Sequence, residues 1–128
     1  MPINSIFPTK IFTTTLNNIS PSEINHLKKF LLNLSNNDLG KDGKYSLHQH
    51  VLDIPLFKNL KKQIVFYSKQ YLKSLGHIFE DIQISNSWNN ITDKDEEIHA
   101  HLHENSYISG VYYINQPSEI QFENPTLH

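Results

Sequence analysis

At Gly76 the apolar residues of this chain change their period, and that change bounds what it can fold into. Before it, Ile24, Leu27, Leu31 and Leu34, and then Leu56, Leu60, Ile64, Tyr71 and Leu75, recur at the spacing of one helix face. After it, short apolar stretches alternate with polar residues, the period of a strand buried on one side. A helical half followed by a run of antiparallel strands predicts an α+β fold, with helices bracing one face of a sheet or half-barrel. The 128 residues suffice for one domain with a real core and are too few for two.

The boundaries follow from local chemistry. Ile6 to Leu16 mixes β-branched and aromatic residues around Pro8 and reads as an opening strand with a bend or edge position. Ser20-Pro21-Ser22-Glu23 supplies an N-cap, a proline for the first helical position and a first-turn carboxylate, so a helix starts there and runs to about Asn36. Asn36 to Tyr45, with Gly40 and Gly43, reads as a loop. Asp53 and Pro55 open a second helix that ends at Gly76. Phe66, Tyr67 and Tyr71 on that helix read as core or rim, and Lys58, Lys61 and Lys62 as its solvated face. Strands are expected at Ile82 to Ile91, Glu97 to His103, Tyr107 to Ile114 and Glu119 to Phe122, with Asn115-Gln116-Pro117-Ser118 as a hairpin connection.

The residues with most chemistry lie in Ile98-His99-Ala100-His101-Leu102-His103. On a strand, successive side chains face opposite ways, so all three imidazoles share one face and Ala100 and Leu102 the other. Neighbours on one face are about 6.5–7 Å apart, close enough for two rings to tilt onto one ion, whereas His99 and His103 are about 13 Å apart. At most two neighbours can therefore share an ion. Because Glu104-Asn105-Ser106 reads as the end of the strand, where barrel sites commonly open, His101 and His103 are the favoured metal ligands, with His99 as the alternative. The bland reading is a solvated edge strand, whose histidines would alternate in the same way. Nitrogen ligands without thiolate suit Fe(II), Zn or Cu. His48 and His50 repeat the spacing in what reads as a solvated loop, and His26 and His77 read as surface residues.

Other chemistries lack their residues. There is no cysteine, hence no disulfide, thiolate site or cysteine nucleophile, and no Gly-x-Ser-x-Gly elbow or phosphate loop. A net charge of −2 offers nucleic acid and anionic membranes no basic patch. No charged leader, apolar leader block or membrane-length run occurs, so a cytoplasmic location is expected.

Three blocks carry a family resemblance: Ser87-Trp88-Asn89, His101-Leu102-His103-Glu104-Asn105-Ser106 and Ser109-Gly110-Val111-Tyr112-Tyr113-Ile114. They resemble a family of 2-oxoglutarate and Fe(II)-dependent oxygenases known mainly from marine bacteria and phages. Ile6-Phe7-Pro8-Thr9-Lys10-Ile11-Phe12 and Phe122-Glu123-Asn124-Pro125 are similar to it too. The resemblance implies a double-stranded β-helix, the jelly-roll or cupin-like barrel, with N-terminal helices packed on the sheet. The strand and two helices would occupy 1–76, and 77–128 would form the first part of the barrel. It implies Fe(II), 2-oxoglutarate as co-substrate, and hydroxylation of a small-molecule or protein substrate coupled to decarboxylation of 2-oxoglutarate. His101 and His103 match the family's first ligand pair, although the second position is usually a carboxylate. The family's distal histidine has no counterpart other than His128, and its co-substrate arginine has none, because the chain contains no arginine. The expectation is a C-terminally truncated barrel, with catalytic and co-substrate residues unassigned and a homodimer forming through exposed sheet edges. The competing expectations are a metal- or ligand-binding module without turnover, and a structural or assembly domain.

Overall fold

The computed structural model describes residues 1–4, 8–34, 36–38, 43–115 and 119–123. Helix α1 (Pro21–Asn33) starts as its sequence dictates. Ser20 stays extended, its Oγ accepts the Glu23 N–H at 3.1 Å, and Pro21 takes a position that needs no N–H. The α1 stripe of Leu27 and Leu31 is buried against Ile19, Val51, Phe57 and Leu60. Phe30 meets Phe57 edge to face, with ring centroids 5.8 Å apart.

Asp53 and Pro55 mark two 3-10 turns, Val51–Asp53 and Pro55–Phe57, which lead directly into helix α2 (Lys58–Ser74). Ile54, held extended by the proline after it, separates the turns and lets Val51 and Phe57 both enter the core. At the other end Gly76 has φ +81°, its N–H donates to the Lys73 carbonyl, and the His77 N–H donates to the Leu72 carbonyl. That pair of bonds satisfies carbonyls the helix leaves open, in a backbone conformation that favours glycine.

Polar contacts lock the helices together beside the apolar core. The Asn59 amide donates to both Glu23 carboxylate oxygens, at 3.0 and 3.2 Å, and to the Asn18 carbonyl at 2.9 Å. Buried Gln63 donates to the same carbonyl at 3.2 Å. Glu23 thus joins α1 to α2.

The sheet is small. Strands β1 (Asn36–Asp38), β2 (Lys44–Ser46) and β3 (Asn90–Ile91) pair antiparallel in the order β1-β2-β3, with Asn37 opposite Tyr45 and Lys44 opposite Ile91. The segment expected as a loop from Asn36 to Tyr45 therefore carries a strand at each end, while 39–42 lie outside the described residues. Gly43 makes this pairing feasible. Its φ is +86°, and a Cβ there would stand 2.5 Å from the Ile91 carbonyl oxygen.

Several expected strands are corrected. Residues 8–16 form no strand, and Ile6 and Phe7 lie outside the described residues. Phe12 packs instead on Tyr67 and Tyr71, and the Tyr71 hydroxyl donates to the Lys10 carbonyl, so this aromatic and β-branched segment lines α2 rather than a sheet. Of Ile82 to Ile91, Asn90–Ile91 is a strand and Ser87 makes an isolated parallel bridge to His50. Glu97 to His103, Tyr107 to Ile114 and Glu119 to Phe122 run as irregular chain. The physical reason is that a strand's backbone is satisfied only by a neighbour, and none lies beside these stretches among the described residues. The described fold is thus α+β with one three-stranded sheet, and no barrel forms among these residues. The connection at 116–118 lies outside them. No helix among them is long and apolar enough to cross a membrane.

Candidate functional site

The candidate site stands on the strip Ser87-Trp88-Asn89, whose two outer residues are pinned to the chain around β2. Ser46, fully buried, donates its N–H to the Asn89 carbonyl at 2.8 Å, while its Oγ accepts the Asn89 N–H at 3.0 Å. The same hydroxyl donates to the His48 carbonyl at 2.9 Å. Ser87 donates its N–H to the Gln49 carbonyl and accepts the Val51 N–H at its own carbonyl and the Leu52 N–H at its Oγ. Five of these contacts bind the strip to the wall that carries Val51 into the core. Between the two anchors, the indole of Trp88 stands 5.2 Å from the ring of His103, tilted by 38°.

The favoured ligand pair comes together although its segment is not a hydrogen-bonded strand. The rings of His101 and His103 have centroids 4.8 Å apart and planes 75° apart, and both residues are exposed. His101 Nδ1 lies 2.8 Å from the His99 carbonyl oxygen, which can only accept, so Nδ1 carries the hydrogen. The neutral ring then keeps its lone pair on Nε2, the arrangement by which a backbone carbonyl commonly orients a metal-binding imidazole. His99, the alternative ligand, contributes this carbonyl to the site. After His103 the chain turns through Asn105, at φ 61°, a conformation asparagine tolerates well, and the Ser106 N–H approaches the His103 carbonyl at 3.4 Å.

Further contacts hold the segment that follows. The Tyr107 hydroxyl and His77 Nδ1 are 2.8 Å apart just beyond the α2 terminus. Tyr112 and Ile114 pack against the helical core, and Lys28 Nζ donates to Asn115 Oδ1 at 3.1 Å. Burial, with the Glu23 carboxylate nearby, raises the Tyr112 phenol above its ordinary pKa. The histidine segment is therefore tethered on both sides, by β3 before it and by Tyr112 and Ile114 after it.

The other histidines keep apart. His48 and His50 are exposed with ring centroids 6.4 Å apart, and His50 Nδ1 lies 3.9 Å from the Asp53 carboxylate. That carboxylate bonds Lys61, which chiefly holds its pKa below the ordinary value. His26 is exposed on α1. The Trp88 ring contact was not legible from spacing, although the chain's sole tryptophan, set between serine and asparagine, was the available signal.

The donor set fits part of a metal centre. Two imidazoles sharing one ion at about 2.0–2.1 Å per bond bring their ring centres to about 5 Å, and the observed 4.8 Å meets that spacing. Among the described residues, no three or more His, Cys, Asp or Glu side chains gather as a metal-binding group, so the pair stands at two donors. No curated protein and no solved structure matches the chain. Residues 86–127, which span the Ser87-Trp88-Asn89 strip and both favoured histidines, match the family model described as "Putative 2OG-Fe(II) oxygenase".

Proposed function

We propose that this chain carries the metal-gripping segment of a 2-oxoglutarate and Fe(II)-dependent oxygenase, with His101 and His103 as two of the iron's protein ligands. The observation that carries the proposal is the approach of those two rings, to 4.8 Å, inside the segment that matches the family model. Iron, when bound, supplies the redox chemistry that couples decarboxylation of 2-oxoglutarate to hydroxylation of a substrate. The chain's own part is to present nitrogen lone pairs. The His99 carbonyl holds the His101 tautomer that offers Nε2, and Trp88 borders the ring of His103. On this reading the alternating stretch from Ile98 to His103 becomes one wall of a double-stranded β-helix when neighbouring backbone pairs with it.

The exposure of both rings, with two donors rather than three among the described residues, favours a second reading, a metal-binding module without turnover. Anaerobic titration with Fe(II), followed by a succinate-release assay in the presence of 2-oxoglutarate and oxygen, separates the two. Saturable binding lost in His101→Ala and His103→Ala, with succinate formed, is expected for the oxygenase. Equal binding without succinate supports the module, and binding that survives both substitutions removes the centre altogether.

A further inference from the structure

We propose that Trp88 is a positioning residue for the His101 and His103 centre. This rests on the metal reading above and names the group that sets one ligand's orientation. An exposed imidazole samples several rotamers, and each must be given up when a metal is bound, so a partner that already holds the ring raises affinity. Trp88 is placed to be that partner. Its indole lies 5.2 Å from the His103 ring at a 38° tilt, while the residues on either side of it are bonded to 46–52 through backbone and hydroxyl groups. His103 itself sits in irregular chain, where its backbone carbonyl takes a long contact from the Ser106 N–H, at 3.4 Å, rather than the ladder bonds of a strand. The rigid wall therefore orients the ligand on the less regular segment. His101 has a different device, its Nδ1–H bond to the His99 carbonyl, so the two rings are held by independent contacts.

The test uses Co(II) alone with the full chain, followed in parallel by calorimetry and by indole emission. Trp88 is the chain's one tryptophan, so all indole emission comes from the ring beside His103. Expected are quenching that saturates with the calorimetric isotherm, about 10-fold weaker Co(II) binding in Trp88→Ala, and recovery of most of the affinity in Trp88→Phe, which retains an aromatic face. A merely structural role would lower thermal stability in the alanine variant without that aromatic rescue. If Trp88→Ala does not fold, the wild-type emission decides. Calorimetric binding with unchanged emission overturns the inference, and so does binding of equal strength in a folded Trp88→Ala. A calorimetrically silent wild type instead removes the metal centre itself, and this inference with it.

Discussion

Leu27 and Leu102 both sit on regular apolar patterns, yet one is 0% and the other 87% exposed. Leu27 belongs to a helix, which bonds its own backbone and has only to find cover for one stripe. Ile19, Val51, Phe57 and Leu60 provide that cover. Leu102 belongs to an alternating stretch whose backbone depends on a neighbouring strand before either of its faces can be buried. With no such neighbour among the described residues, Ile98, Leu102, Val111, Ile120 and Phe122 remain exposed. The contrast teaches that helical periodicity specifies a structure nearly complete in itself, whereas alternation specifies two faces and leaves the partner open.

Amide hydrogen exchange should break this comparison most directly if it is wrong. Amides within α1 and α2 are expected to exchange on the order of 10³-fold more slowly than those of 97–103, and comparable protection would place the histidine segment in a stable sheet. Next in size is a pair of truncations. Phe57→Ala should cost about 3–5 kcal/mol in denaturant unfolding, because it empties a fully enclosed site, while Leu102→Ala should stay within about 0.5 kcal/mol. A large loss at Leu102 would mean that it is packed in solution.

Smaller effects sharpen the comparison around the sheet and α2. Gly43→Ala sets a Cβ against the Ile91 carbonyl in left-handed backbone, with an expected loss of about 2–3 kcal/mol in the same assay. Gly76→Ala meets open space and carries only the backbone penalty, about 1–2 kcal/mol, so the difference between the two glycines measures the close approach at β3. The smallest effect is at Asp53. Its carboxyl pKa lies below the ordinary value, chiefly through the bond from Lys61, so the folded state favours the ionised form. That contribution is fully present above the unfolded value of about 3.9 and fades as pH falls through the lower folded value. Comparing Asp53→Asn with wild type should show a small stability gap at neutral pH that closes in acid, and a gap independent of pH would assign the effect to something other than charge.

How far the fold was legible tracks the same distinction. The cap at Ser20, the stripe of α1 and the glycine that ends α2 were readable, because each depends on residues within a few positions of one another. The Asp53 and Pro55 signal identified a real start, but of 3-10 turns that precede α2. The strands at 36–38 and 44–46 were missed because Asn, Asp and Gly spell turns locally, while 44–46 pairs with 36–38 on one side and, far along the chain, with Asn90 and Ile91 on the other. At the site, strand spacing suggested that His101 and His103 could approach one another. The His99 carbonyl bond and the Trp88 contact depend on tertiary geometry, which spacing alone does not encode.

The clamp around β2 bears on how mutational scans of this chain would be read. Within one triplet, the middle side chain borders His103 while both flanking residues serve as mortar for the framework. On the metal-centre reading proposed above, a scan scoring Co(II) binding alone would rank all three as equal and credit them to the metal site. Recording the abundance of folded protein alongside would divide them, with losses at Ser87 and Asn89 tracking abundance and those at Trp88 departing from it.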